Sequence, residues 1–187
     1  MNINLTTGLL DSVRFLPSPH CDERPANVAI DLVVIHGISL PPAQFGNGTI
    51  EKFFCGHLDF SEHPYFATLS TLKVSAHLLI TRQGEIIQFV PLTQRAWHAG
   101  QSFFEGREQC NNFSIGIELE GTDEIAYEKI QYQQLANVLR SLMKAYPGIC
   151  RKNIVGHSDI APSRKTDPGP AFRWNELDSL LESTVSF

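Results

Sequence analysis

His36, His157 and Asp167 carry the donor types of a catalytic zinc site, two imidazoles and one carboxylate with a fourth position left for water. Each falls where an apolar run gives way to a loop. His36 follows Leu32-Val33-Val34-Ile35, and His157 follows Asn153-Ile154-Val155-Gly156. Asp167 lies in the stretch Ala161-Pro162-Ser163-Arg164-Lys165-Thr166-Asp167-Pro168-Gly169-Pro170. The prolines there limit backbone freedom and help hold Asp167 and Lys165 in place. Spacing alone does not select zinc, because a histidine at a strand end serves equally well to hydrogen-bond a neighbouring loop.

A carboxylate and a lysine extend the set. Glu118, in Gly116-Ile117-Glu118-Leu119-Glu120-Gly121, faces away from Ile115 and Ile117, toward either solvent or a cleft. In a cleft beside an activated water it can act as general base if its surroundings raise its pKa. Lys165 can bring a cation to the oxyanion of an attacked carbonyl, or it is an ordinary surface lysine. His98, in Arg95-Ala96-Trp97-His98-Ala99-Gly100, suits a ligand-facing loop, the alternative being a packed Trp97 with its neighbour exposed. His20, His57 and His63 read as surface or loop-bracing residues, and His77 as a structural histidine within a strand.

The elements that must position these groups are short. Leu32–Ile35 reads as a buried strand, and Ser114–Leu119 as another with alternating faces. Val74–Ile80 and Ile86–Val90 form a hairpin across Arg82-Gln83-Gly84-Glu85, and Asn153–Val155 is a further strand. A helix from Glu128 to Ala145 keeps Leu135, Val138, Leu139, Leu142, Met143 and Tyr146 on one face and stops at Pro147-Gly148. A shorter one spans Thr49 to Cys55 with Asn47 as its cap and Gly56 as its stop, and a last one spans Trp174 to Leu181. Irregular interleaving of strands and helices predicts an α/β fold of the α+β type, a central mixed β-sheet flanked by helices.

A chain of 187 residues, 42% hydrophobic and 19% charged, is sized for one globular domain, 1–187. Its formal net charge of -5 provides no basic stripe for nucleic acid or an anionic membrane, and no apolar run approaches a bilayer span. The amino terminus lacks the pattern of a secretory leader, so the cytoplasm is the expected compartment. Cys21, Cys55, Cys110 and Cys150 lie far apart and read as reduced thiols. There is no nucleotide-phosphate loop, no G-x-S-x-G elbow and no H-E-x-x-H helix.

Five strings in order carry a family resemblance: Val34-Ile35-His36 with Ile38-Ser39-Leu40-Pro41-Pro42; Ser75-Ala76-His77; Arg95-Ala96-Trp97-His98-Ala99-Gly100; Ser114-Ile115-Gly116-Ile117-Glu118-Leu119-Glu120-Gly121; and Gly156-His157-Ser158-Asp159-Ile160-Ala161-Pro162 with the Arg164 to Pro170 stretch. Together they resemble the zinc N-acetylmuramoyl-L-alanine amidases from about Val13 to Trp174, and within them the cytosolic branch acting on 1,6-anhydro-muropeptides. The resemblance implies a mixed sheet with helices packed on it and one zinc at the strand ends. It assigns the metal to His36, His157 and Asp167, the acid/base role to Glu118 and transition-state stabilisation to Lys165, and it has Arg164 help bind substrate. The implied partner is an anhydro-muropeptide, with the amide between the lactyl group and L-alanine as the bond cut. A monomer is the expected working form.

Gly37, Lys73 and Gln109 depart from the residues common in that family, which are Asn, Arg and Arg. Loss of an Arg fork weakens bidentate carboxylate recognition. Against the net charge of -5, Lys73, Arg164, Lys165 and zinc must then supply the local positive site for an anionic ligand. Two rival readings remain. One is a recognition module that binds muropeptides without cutting them. The other is a metal-free thiol hydrolase pairing Cys110 or Cys150 with a histidine.

Overall fold

The computed structural model describes residues 1–183. Six strands build its central sheet: β1 (Arg14–Phe15), β2 (Leu32–Ile38), β3 (Leu78–Ile80), β4 (Ile86–Gln88), β5 (Ser114–Glu120) and β6 (Ile154–Gly156), in the spatial order β6-β2-β5-β3-β4-β1. Neighbours run parallel except the β3/β4 hairpin, so the sheet is mixed, as the interleaved elements predict. The helices are α1 (Thr49–Phe54), α2 (Pro64–Ala67), α3 (Lys129–Ala145), α4 (His157–Ile160) and α5 (Trp174–Glu182). None of the helices among the described residues is long and apolar enough to cross a membrane.

Alternation along the strands explains the layering. On β2 and β5, Val33, Ile35, Ile115, Ile117 and Leu119 face α3 and α5, where Leu135, Leu139, Leu142 and Leu177 complete the larger core. The opposite face meets two smaller clusters, one around Phe53, Phe54 and Phe89, the other around Leu32, Val34, Phe113 and Ile160. With both faces covered, every residue of β5 is buried, including its polar ones.

Differences from the sequence reading have local causes. The strand expected from Val74 begins only at Leu78, because the Gly116 N–H bonds the His77 ring Nδ1 at 3.0 Å instead of a carbonyl of an extended neighbour. Asn47 does accept the Thr49 N–H at 3.0 Å, but the residue at the cap itself is Gly48, whose φ of 70° is left-handed. Glu128 lies just outside α3 and forms a reciprocal capping box with Gln131. His157 opens α4 rather than sitting in a loop, and Asp159 turns back to accept the Gly156 N–H at 2.7 Å.

Candidate metal centre and its cleft

The in-register pairing of β2 with β5 places Glu118 opposite His36, and β6 on the other side of β2 delivers His157. All three strands end toward the same side, where the loop carrying Asp167 folds back over α4, its carbonyl accepting the Ser158 N–H at 3.0 Å. The Nδ1 atoms of His36 and His157 lie 3.0 Å apart, and each lies 3.1 Å from Asp167 Oδ2. Four-coordinate zinc with bonds of about 2.0–2.1 Å needs ligand atoms about 3.3 Å apart, so the triangle closes to within a few tenths of an ångström. Among the described residues this is the one group of three or more such side chains gathered closely enough for a metal.

The rest of each ring is committed in a way that frees Nδ1. His157 Nε2 donates to the Ala99 carbonyl at 3.2 Å. His36 Nε2 meets His98 Nδ1 at 2.9 Å, and His98 Nε2 meets Ser114 Oγ at 3.1 Å. With the Nδ1 lone pair of His36 facing the other donors, its Nε2 proton goes to His98, whose own proton then lies on Nε2 toward Ser114. Such outer partners fix ligand tautomer and ring orientation. His98 packs so closely on β5 that a Cβ at Gly116 would overlap its ring.

Behind His98 sits His77, fully buried, its ring 5.7 Å from that of His98. It accepts from Gly116 through Nδ1 and donates through Nε2 to the Gln94 carbonyl at 3.1 Å. Arg24 caps the stack, donating to the carbonyls of Leu92, Asn111, Asn112 and Ser114. Burial lowers its guanidinium to about 10, which leaves it a cation at neutral pH.

Electrostatics divide the two carboxylates. Burial, joined by the charge of Asp167, pushes Glu118 well above the ordinary carboxylate range, with Lys165 opposing. It is 8% exposed, and its Oε2 has no hydrogen-bond partner. Burial also works against ionised Asp167, but the adjoining imidazoles of His157 and His36 outweigh it and hold its carboxyl far below the usual range. Burial pushes His36 down to about 4 and His98 well below the ordinary histidine value, so both are neutral. Neutral imidazoles and an ionised carboxylate are the forms that bind a metal.

A cleft of about 570 Å³ opens over this set. Glu118, Lys165, Asp167, His36 and His157 are among the residues that line it, and Phe53, Tyr65, Leu69, Leu72, Val74 and Trp97 are among the residues of its apolar wall. Of the residues expected to act, His36, His157, Asp167, Glu118 and Lys165 therefore converge. Lys73 is exposed between two lining residues, Leu72 and Val74, without lining the cleft itself. Arg164 donates through Nη2 to Ala99 O at 2.6 Å and Gln101 O at 2.7 Å, bracing the loop that holds His157. Cys110 is buried with its thiol pushed up by burial, and Cys150 is exposed. Neither reaches the cleft, which removes the thiol-hydrolase reading.

Asn111 is a residue the sequence did not single out. Its Oδ1 accepts both the His98 and Ala99 backbone N–H groups, at 3.1 and 2.8 Å, and so holds the loop under both histidines. Asp22 is another, pairing with Arg95 and accepting from Trp97 Nε1 at 3.1 Å. Nothing in their local sequence distinguishes them from ordinary loop residues.

The family model described as N-acetylmuramoyl-L-alanine amidase matches residues 26–170. The 1,6-anhydro-N-acetylmuramyl-L-alanine amidase AmpD of Escherichia coli K12 is 58% identical over 182 residues, 97% of this chain and 99% of that protein. A crystal structure of an AmpD selenomethionine derivative superposes with a TM-score of 0.93 at 53% identity, covering 97% of this chain and 99% of the other. The E. coli amidase AmiD, solved in complex with anhydro-N-acetylmuramic acid-L-Ala-D-γ-Glu-L-Lys, matches with a TM-score of 0.58 at 34% identity over 84% of this chain and 60% of that one.

Proposed function

From the premise that this chain belongs to the N-acetylmuramoyl-L-alanine amidase family, we propose how its site works. It is a 1,6-anhydro-N-acetylmuramyl-L-alanine amidase of peptidoglycan recycling, hydrolysing the amide between the lactyl group of the anhydro-sugar and L-alanine. The supporting observation is the close triangle of His36 Nδ1, His157 Nδ1 and Asp167 Oδ2, with the Glu118 carboxyl facing the same cleft. We assign one zinc per chain to that triangle. Bound there, zinc supplies Lewis-acid polarisation of the lactyl carbonyl and acidifies a water molecule.

The chain's own residues carry the proton and the orientation. Glu118, partnerless and raised in pKa by burial, takes the proton of the attacking water and passes it to the alanine nitrogen as the C–N bond breaks. Lys165 brings its ammonium to the carbonyl oxygen as negative charge develops. Lys73, between two lining residues, and Arg164, next to Lys165 in sequence but outside the cleft lining, add positive potential for the carboxylates of the stem peptide. The cytoplasm is the proposed compartment and a single chain the proposed working form.

Two measurements test the reading. Purified protein carries about one zinc per chain, as the three-ligand site requires. Incubation with anhydro-muropeptide releases free peptide detectable by mass spectrometry. A zinc-loaded chain that binds the muropeptide and releases nothing is a recognition module instead.

A further inference from the structure

Two glycines beside the site are required by no backbone conformation, since Gly37 and Gly121 both have φ values open to any residue. What they share is one neighbour. A Cβ on Gly37 would overlap the hydroxyl of Tyr127, with Cζ 3.5 Å away, and a Cβ on Gly121 would run into its ring, with Cζ at 2.8 Å and Cδ1 at 2.9 Å. Gly37 directly follows His36 on β2, and Gly121 follows the end of β5, three residues after Glu118.

Tyr127 itself is buried, its ring edge-on to Phe172 and Tyr132 at centroid distances of 5.5 and 6.5 Å. Its hydroxyl donates to the Pro168 carbonyl at 3.0 Å, one residue past Asp167. The same two segments meet again where the Ala171 N–H bonds the Asp123 carbonyl at 2.9 Å. One side chain thus touches the strand of His36, the end of the strand of Glu118 and the loop of Asp167.

We propose that Tyr127 is the positioning residue that sets the stand-off of Asp167 from His36, and that position 37 is glycine so that the Tyr127 hydroxyl can reach Pro168. The bond fixes the loop at the peptide unit next to the ligand, where a shift of a fraction of an ångström opens the triangle of donor atoms. This rests on the zinc reading above. Residues that orient metal ligands typically change metal affinity by about 10- to 100-fold when removed.

The experiment measures the dissociation constant of Zn²⁺, by competition with a chromophoric chelator, for wild type, Tyr127→Phe, Gly37→Ala and the double variant. The thermal midpoint of each metal-free protein is recorded beside it. Tyr127→Phe binds zinc about 10-fold more weakly, and Gly37→Ala at least as weakly. The double variant is no worse than Tyr127→Phe alone, because removing the hydroxyl vacates the space the new methyl needs. A midpoint that falls while the zinc constant stays at the wild-type value means the tyrosine only supports the fold, and overturns the proposal. So does Gly37→Ala costing the same factor in both backgrounds. A wild-type chain that binds no zinc overturns the metal reading itself, an outcome distinct from wild-type and Tyr127→Phe proteins binding it equally.

Discussion

Toward α3, strand β5 presents Ile115, Ile117 and Leu119, all fully buried among apolar side chains. Toward the cleft it presents Ser114, Gly116 and Glu118, buried as well, but beside a stack of imidazoles and an ionised aspartate. Burial on the first face stabilises the fold, by about 1.5–3 kcal/mol for each large aliphatic side chain. Burial on the second costs free energy wherever a polar group goes unpaired, and Glu118 Oε2 does. One strand therefore keeps stability on one side and reactivity on the other, a pleat apart. The uncompensated carboxyl is the group whose raised pKa suits it to move protons.

Substitutions on the two faces of β5 should fail in opposite ways. Glu118→Ala keeps its zinc and loses about 10²- to 10⁴-fold in turnover; near-native turnover in the metal-loaded variant would break the assignment of reactivity to that face. Ile117→Ala, on the other face, lowers stability by about 2–5 kcal/mol in urea unfolding, while the folded fraction keeps the wild-type kcat. Lys165→Ala drops kcat by about 10²-fold with zinc content unchanged, and a loss of zinc instead would move the lysine from the reaction to the metal.

The smallest effect is a pH dependence in the metal-free protein. Because the folded pKa of Glu118 is raised, the native state holds that proton more tightly than the unfolded chain, whose glutamate titrates near about 4.3. Its contribution is favourable below the unfolded value and is lost as pH rises through the folded one. Glu118→Gln is accordingly more stable than wild type at neutral pH, by a margin that shrinks as the solution is acidified. Urea midpoints at neutral and acid pH measure it, and a wild type more stable than the glutamine variant at neutral pH would mean the carboxylate has favourable partners.

Much of this division is legible in the residues. Alternation assigns Ile115 and Ile117 to one face and Glu118 to the other, and α3 follows from its periodic apolar stripe and the Pro147-Gly148 stop. The same letters leave open whether Glu118 meets water or a cleft, because that depends on what covers the second face. Nor do they disclose the roles of Gly37, Gly121 and Tyr127, since a glycine needed for another side chain's volume carries no local signature. The 2- and 3-residue strands outside the hairpin, such as Cys21–Glu23 and Gln94–Ala96, are too short for any period to emerge.

What the sequence determined by itself was the supply of chemistry and its local presentation: donor types at strand ends, a proline-stiffened loop around Asp167, and strands whose pleat separates apolar from polar residues. Only the tertiary structure decided that these groups meet. His36 lies 121 residues from His157 and 131 from Asp167, and their approach to about 3 Å follows from the parallel register of β2 with β6 and from the fold-back of the Asp167 loop over α4. That register is chosen by burial of both sheet faces at once, a cooperative property of the packed molecule that no window of sequence contains.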